Sequence, residues 1–377
     1  MTAEDSRAGF WPSSRYDLEI LKTTLAITCL FFLFGTSAYQ LLTNNAIDSS
    51  SAFLEIWNRW DAVNYVALAE HGYELDGPRR HVIVFLPLFA WCTKALHLVI
   101  GNYILSALIL SGVTTFSSAW LLYKLARLDY EHELASRAVW YLLIFPTSLF
   151  LHVGYADGMF LSFILASFIA ARNGRWFLAG VSGALACMTR SYGFLVIPAL
   201  AAEALAGYVM DRRIKTAWLW ALLPVAGSGV YLWLNYRLAG NPFYFLGVYK
   251  EIWNKQLTWP WVGLTAKLAE YATRGPFERQ MVVTQEFLFV LIGVAGFCVA
   301  VKKLRPSYAV WIGANLVFFT STNFVVSVPR YVLVLFPLYF LFAMPKEKRL
   351  WHTVLSVWSL LFLALFTSLY VQSKWAF

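Results

Sequence analysis

Charged residues are scarce in this chain. Asp, Glu, Lys and Arg make up only 14% of its 377 residues, whereas a typical soluble domain has about 25%. Hydrophobic residues reach 59%, and they include 17 Trp, 20 Tyr and 30 Phe. This composition excludes an ordinary soluble domain and predicts a membrane protein.

Cysteines are few, and the common metal and nucleotide motifs are missing. Cys29, Cys92, Cys187 and Cys298 lie inside apolar runs without a CxxC spacing, so they indicate neither a disulfide nor a zinc site. The chain has no Gly-rich phosphate loop, no HExxH pair and no other metal-ligand spacing. We therefore expect no metal and no cofactor. The formal net charge of +9 is the Lys and Arg excess expected of cytoplasmic loops, so we do not expect nucleic acid as a partner.

Long hydrophobic runs fill most of the chain. They are about 17–24 residues long, enough for a helix to cross about 30 Å of hydrocarbon, and they lack the alternation of membrane-barrel strands. We predict one all-α polytopic domain over residues 1–377 with about eleven transmembrane helices. We expect the first helix, from near Ile20, to be retained because no cleavage pattern follows it. The predicted spans are 20–42, 103–123, 138–153, 158–171, 176–190, 193–210, 216–236, 284–301, 307–322, 331–344 and 350–372.

The distribution of basic residues predicts the orientation. Segment 81–101 is apolar but contains Pro87, Lys94 and His97. If it does not cross the membrane, the short basic clusters all fall on one side, as the positive-inside rule requires. We therefore predict an amphipathic or re-entrant segment there, a cytoplasmic N-terminus, and long outer loops over about 43–102 and 239–283. The clusters are Arg7/Arg15/Lys22, Lys124/Arg127/Arg137, Arg172/Arg175, Arg212/Arg213/Lys215, Lys302/Lys303/Arg305 and Lys346/Lys348/Arg349.

A polar, tryptophan-flanked segment follows the first predicted span and contains Asp61. An aspartate held at the membrane surface suits a general base that takes a proton from a sugar or lipid hydroxyl. Alternatively, Asp61 caps an interfacial helix over 62–70, and the two roles can coexist. Arg59, Asn64, Glu70 and His71 are candidates for substrate binding nearby, although Glu70 and His71 would also be ordinary solvated groups.

A second group of polar residues is predicted on the same outer face. Asp157, preceded by Tyr155, lies between two short apolar runs; it either orients an acceptor or a lipid phosphate, or simply belongs to an exposed tight turn. Arg190 and Arg330 interrupt apolar sequence, where an arginine is costly unless it is paired or binds an anion. Both suit a phosphate, with Tyr331 beside Arg330. The alternatives are snorkelling to headgroups or an ion pair within the bundle.

Together these segments resemble the PIG-V family of mannosyltransferases, which act in GPI-anchor synthesis, and their prokaryotic relatives. The resemblance covers about residues 55–340, with Asn64 where relatives often have His, and Ala156-Asp157 in place of Thr-Glu. The matching segments, in order, are Arg59-Trp60-Asp61-Ala62 with Ala69-Glu70-His71-Gly72-Tyr73, Phe85-Leu86-Pro87-Leu88-Phe89, Phe145-Pro146-Thr147-Ser148-Leu149-Phe150 through Tyr155-Ala156-Asp157-Gly158-Met159-Phe160, Leu178-Ala179-Gly180 to Thr189-Arg190-Ser191-Tyr192-Gly193, and Pro329-Arg330-Tyr331 with Phe336-Pro337-Leu338.

The resemblance implies a GT-C glycosyltransferase. Such an enzyme would transfer a sugar, mannose above all, from a polyprenyl- or dolichyl-phosphate donor to a hydroxyl of a lipid-linked or glycan acceptor, with inversion and with Asp61 as the base. It would lie in the cell membrane of a prokaryote or the endoplasmic reticulum membrane of a eukaryote, with its site on the non-cytoplasmic face. The alternative is a transporter or flippase of polyprenyl-sugar lipids without transferase activity.

Overall fold

A computed structural model describes residues 15–345 and 348–377 of the chain. The predicted cytoplasmic cations Arg7 and Lys346 lie outside these residues. The all-helical prediction is confirmed: the described part of the chain contains no strand, only an isolated antiparallel bridge between Leu257 and Thr322. Six helical stretches in that part are long and apolar enough to cross a membrane. The count of about eleven spans stays a prediction.

The helices follow one another with short connections. In the first half they are α1 (Arg15–Thr43), α2 (Ser50–Glu55), α3 (Asp61–His71), α4 (Pro87–Ile100), α5 (Tyr103–Ala126), α6 (His132–Leu143), α7 (Leu149–His152), α8 (Asp157–Arg172), α9 (Trp176–Cys187) and α10 (Val196–Asp211). In the second half they are α11 (Pro224–Ala239), α12 (Tyr244–Trp253), α13 (Pro260–Thr273), α14 (Pro276–Glu278), α15 (Thr284–Lys303), α16 (Pro306–Thr320), α17 (Val328–Leu333), α18 (Pro337–Ala343) and α19 (Arg349–Val371).

Helix α8 lies at the centre of the bundle. It packs against α5 and α9 along its length, and it is buried on nearly every side. Its contact with α5 is made by small polar residues, as is common where two helices pack within a membrane. Ser118 donates a hydrogen bond to the carbonyl of Gly158 at 2.9 Å, and Ser162 donates one to the carbonyl of Thr114 at 3.0 Å. A side chain at Gly158 would collide with Thr114. This close contact fixes the start of α8 in the bundle.

Two predicted spans are broken rather than continuous. The span predicted over 138–153 is divided between α6 and α7, and Pro146 lies in the break. The span predicted over 331–344 is divided between α17 and α18 at Pro337. Proline lacks a backbone N–H and disfavours helix in the residue before it, which explains both interruptions. At the second break, side chains replace the lost helical bonds: Trp311 donates to the carbonyl of Val334 at 3.2 Å, and Tyr339 to that of Leu333 at 2.6 Å.

The two long loops carry helices of their own and are bonded to each other. The first loop (43–102) contains α2, α3, a 3-10 helix at Arg80–Val84 and α4; the second (239–283) contains α12, α13 and α14. Arg80 of the first loop pairs with Glu251 of α12 at 2.7 Å and donates to the Tyr244 hydroxyl at 3.0 Å. Segment 81–101, which the sequence predicts to be amphipathic or re-entrant, consists of most of the 3-10 helix and the 14-residue helix α4.

Candidate active site

Asp61 is the first residue of α3, so its carboxylate lies at a helix N-terminus. Trp60 precedes it with φ = +53°, a backbone conformation that is uncommon for a residue other than glycine. The Tyr155 hydroxyl holds this turn, since it accepts a hydrogen bond from the Asp61 N–H at 3.1 Å and donates to the Arg59 carbonyl at 3.4 Å. The helix-cap alternative is wrong: the N-cap residue is Trp60, and the Asp61 side chain bonds to an arginine.

That arginine is Arg330, which bridges two carboxylates. Its Nη1 donates to Oδ2 of Asp61 at 2.6 Å, and its Nη2 donates to Oδ2 of Asp157 at 3.0 Å. Its Nε also faces Asp157, at 3.2 Å from Oδ2. The guanidinium carbon lies 4.4 Å from the centre of the Tyr155 ring and 4.9 Å from that of Phe150, so the cation is within cation–π distance of both rings.

Asp157 is the first residue of α8 and has no exposure to solvent. The interpretation of this segment as an exposed tight turn is therefore wrong. Asp157 accepts hydrogen bonds from both Arg330 and Arg190. The bundle ion-pair alternative for the two arginines is thus the arrangement observed, and snorkelling to headgroups is not. A buried carboxylate between two guanidinium groups is stable because each charge is both paired and hydrogen-bonded.

Arg330 is held in place through the short helix α17. Glu286 of α15 is fully buried, and its two carboxylate oxygens accept from the backbone N–H groups of Ser327 and Val328 at 2.6 and 2.8 Å. Thr147 donates to the carbonyl of Pro329 at 2.8 Å. Because α17 has only six residues, these bonds at its start determine where the Arg330 side chain points.

Arg190 retains unused hydrogen-bonding capacity. It lies between α9 and a 3-10 helix at Ser191–Leu195, and its Nη2 bonds to Asp157. Its Nε is buried and has no hydrogen-bond partner, and neither does the buried hydroxyl of Tyr192. The Arg190 guanidinium carbon lies 5.9 Å from the centre of the Tyr192 ring. Unpartnered buried donors are costly, so they mark a place where a ligand acceptor would be favourable.

Tyrosines from several elements surround the charged residues. Tyr65 lies one turn after Asp61 on α3, and burial raises its pKa to about 12, so it carries its proton near neutral pH. Tyr249 of α12 packs against the buried cluster that contains Tyr65. Tyr331 stacks on Phe319 with ring centres 4.7 Å apart.

Asp61 is the most exposed member of this group. Its side chain is 35% exposed, compared with 10% for Arg190, 6% for Arg330 and 0% for Asp157. In the described part of the chain, Arg330 is the only side chain that hydrogen-bonds the Asp61 carboxylate, and it uses Oδ2. The second oxygen, Oδ1, is therefore available to a hydroxyl group.

Among the described residues, the side chains of the other predicted site residues do not hydrogen-bond to this charged group. Glu70 and His71 are at the far end of α3, about 14 Å along the helix from Asp61, where they are exposed and 3.7 Å apart. Asn64 Oδ1 accepts a hydrogen bond from Nε2 of His81 at 2.8 Å. Arg59 is half-buried, and its Nε has no partner.

Sequence reasoning missed Glu286, Tyr65 and the second-loop residues near the site. An acidic residue inside a predicted span was a signal for Glu286, because such residues are rare in membrane segments. Tyr65 lies four residues after Asp61, a spacing that puts both side chains on one face of a helix, and this was a signal for Tyr65. No sequence pattern indicated that α12 returns to the site.

Among the described residues, no group of three or more His, Cys, Asp or Glu side chains could hold a metal ion.

Comparison with known families gives a partial match. Residues 80–233 match the family described as dolichyl-phosphate-mannose-protein mannosyltransferase. The match spans less than half of the chain and includes Asp157 and Arg190, but neither Asp61 nor Arg330. Among curated proteins, none matches the chain.

One of two similar solved structures has the same helical fold as this chain. ArnT from Cupriavidus metallidurans, solved with undecaprenyl phosphate, superposes with a TM-score of 0.51 at 15% identity over 89% of this chain. The aligned part is 61% of the ArnT chain. An oligosaccharyltransferase from Archaeoglobus fulgidus, tethered to an acceptor peptide, gives a TM-score of 0.48 at 11% identity, over 94% of this chain and 55% of that one.

The chain is a polytopic membrane protein that shares the helical fold of ArnT. The similarity to ArnT is one of fold alone. The match to the mannosyltransferase family covers only residues 80–233.

Proposed function

We propose that this protein is a membrane glycosyltransferase that transfers a sugar from a polyprenyl- or dolichyl-phosphate donor to a hydroxyl group of a lipid-linked or glycan acceptor. The observation that carries the proposal is the position of Asp61. It is the partly exposed end of a buried charge network, and Arg330 fixes one of its oxygens while the other stays available. A carboxylate oriented in this way suits a general base.

The proposed reaction is a single displacement. The acceptor hydroxyl oxygen attacks the anomeric carbon from the face opposite the phosphate, and the anomeric C–O bond breaks with its electron pair going to the phosphate oxygen. The hydroxyl proton passes to Oδ1 of Asp61. The anomeric configuration inverts. Most of the rate should come from positioning the two substrates and from stabilising the departing phosphate by nearby cations.

The other residues of the charge network, together with Tyr155, take supporting roles in this proposal. Arg330 and Asp157 orient Asp61, with Tyr155 holding the backbone turn before it. Arg190 is the network arginine with a free Nε, so it is the better placed of the two to contact the donor phosphate.

Mannose is the proposed sugar, with a PIG-V-like transfer as the proposed subfamily. The support is the family match over 80–233 and the sequence segments around Asp61, Asp157, Arg190 and Arg330. The site is proposed to face the non-cytoplasmic side, since the positive-inside rule assigns the basic clusters to the cytoplasm.

Product analysis tests the activity. The purified full chain in liposomes is supplied with polyprenyl-phosphate mannose, or the glucose or arabinose equivalent, together with membrane lipid extract as acceptor. We expect a new glycosidic product, detected by mass spectrometry, for one of these donors. Movement of the sugar lipid between leaflets without any new product would overturn the proposal in favour of a transporter.

A further inference from the structure

Helix α17, which carries Arg330, has no capping side chain of its own at its start. Ser327 lies at the N-cap position, where a serine commonly accepts a hydrogen bond from the helix, but its hydroxyl makes no such bond. The first N–H groups of a helix have no partner within the helix. The N–H groups of Ser327 and Val328 therefore need acceptors from another part of the protein.

Glu286 of α15 supplies both acceptors. One of its carboxylate oxygens accepts from the Ser327 N–H at 2.6 Å, and the other accepts from the Val328 N–H at 2.8 Å. The side chain has no exposure to solvent, so it does not face the space that a substrate would enter. A buried carboxylate is costly unless hydrogen bonds stabilise its charge, and these two bonds do so. Glu286 thus caps α17 from a different helix.

Ser327 has a backbone conformation that depends on its surroundings. Its φ is +65° and its ψ is +23°, in the left-handed region that favours glycine. This conformation is strained for a residue with a Cβ atom, and it persists only where the neighbouring structure holds it. The Glu286 carboxylate binds the peptide N–H groups before and after the Ser327 Cα atom. It therefore fixes both dihedral angles of this residue.

The conformation of Ser327 determines where Arg330 lies, because Arg330 follows it by three residues within the first turn of α17. Nη1 of Arg330 donates to Oδ2 of Asp61 at 2.6 Å. A rotation of the Ser327 backbone would move this guanidinium group and release the carboxylate that it orients. A misplacement of about 1 Å can lower the rate of an enzyme about 100-fold.

We propose that Glu286 is a positioning residue for the transfer reaction. By holding Ser327 in its strained conformation, Glu286 fixes Arg330, and Arg330 orients the Asp61 carboxylate toward the acceptor hydroxyl. The inference rests on the proposed function and adds to it a residue that determines turnover without contacting either substrate.

Turnover of Glu286→Gln tests the effect on transfer. Glutamine has the same size, but its NH₂ group would face one of the two backbone N–H groups instead of accepting from it. We expect kcat, counted per molecule that binds undecaprenyl phosphate, to fall about 10–100-fold while the KM for the acceptor changes less than about threefold. Glu278→Gln, at an exposed glutamate of the preceding helix α14, is the matched control and should keep wild-type turnover.

A second substitution at Ser327 separates this role from a general effect on stability. Glycine adopts a positive φ without strain, so Ser327→Gly added to Glu286→Gln should raise kcat by about fivefold or more over Glu286→Gln alone. Ser327→Ala is the matched control, because alanine keeps the Cβ atom and should restore nothing. Equal recovery by the two substitutions, or no recovery by Ser327→Gly, would overturn the inference.

Hydrogen exchange followed by mass spectrometry tests the backbone contact independently of transfer. In Glu286→Gln, the amides of Ser327 and Val328 should exchange about tenfold faster or more, while those of α8 keep their wild-type rates. Unchanged exchange at α17, or faster exchange throughout the bundle, would overturn the inference, as would wild-type kcat in Glu286→Gln. A wild-type chain that shows no transfer, together with the expected local change in exchange, would instead count against the proposed function and leave the contact between Glu286 and α17 supported.

Discussion

At Asp157, two guanidinium groups share one carboxylate that solvent does not reach. Its replacement would leave both Arg190 and Arg330 without their common partner inside the bundle. Sequence reasoning identified Asp61, Asp157, Arg190 and Arg330 one by one, because a charge in apolar sequence needs an explanation. It could not predict that they bond to one another, since that depends on how α3, α8, α9 and α17 pack.

The first prediction concerns stability at this residue. Asp157→Asn should destabilise the protein by about 3–5 kcal/mol, because removing one partner of a buried ion pair leaves uncompensated charge. The measurement is thermal unfolding of the purified protein in detergent. Asp211→Asn is the control, since Asp211 pairs with Lys215 on the exposed end of α10. An Asp157→Asn protein as stable as the control would contradict the account of the buried network.

At the scale of helices, the sequence predicted where most elements lie but not where two of them break. Hydrophobic runs predict spans by length, whereas Pro146 and Pro337 interrupt the helices inside those runs. The second break matters for the site because it separates α17, with Arg330, from α18. The bonds from Glu286 and Thr147 that orient α17 join residues far apart in the chain, so a local pattern could not reveal them.

The second prediction concerns the contact between α9 and α11, since α9 leads directly to Arg190. A Cβ atom added at Gly227 would lie 2.0 Å from the carbonyl oxygen of Ala184. Gly227→Ala should therefore push the two helices apart, lower stability by about 1–3 kcal/mol and reduce transfer activity. Gly229→Ala is the control, because a Cβ there meets no atom within 4 Å. Equal stability and activity of the two variants, measured by thermal unfolding and transfer assay, would show that this close contact does not position Arg190.

At the scale of the whole molecule, composition predicted a helical membrane protein, and the fold confirms that class. The sequence could not show that the second loop returns to the first, which depends on the Arg80–Glu251 pair and its neighbours. The third prediction is the orientation in the membrane, which is inferred from the distribution of the basic clusters.

Cysteine labelling on intact cells measures the orientation. In a background without the four native cysteines, single cysteines at Asp76 and Trp259, both exposed, should react with a membrane-impermeant maleimide added outside. A cysteine at Arg213, exposed after α10, should react only after permeabilisation. The reverse pattern would place the candidate site on the cytoplasmic face.

The proposed reaction depends on Asp61 accepting a proton from the acceptor hydroxyl, and turnover of Asp61→Asn measures this most directly. The amide preserves the size of the side chain, so the variant should fold and bind undecaprenyl phosphate, while its transfer rate should fall by about 10²–10⁴-fold. Asp76→Asn, an exposed aspartate of the first loop, should keep wild-type turnover. A rate for Asp61→Asn close to that of the wild-type chain would contradict the proposed role of Asp61.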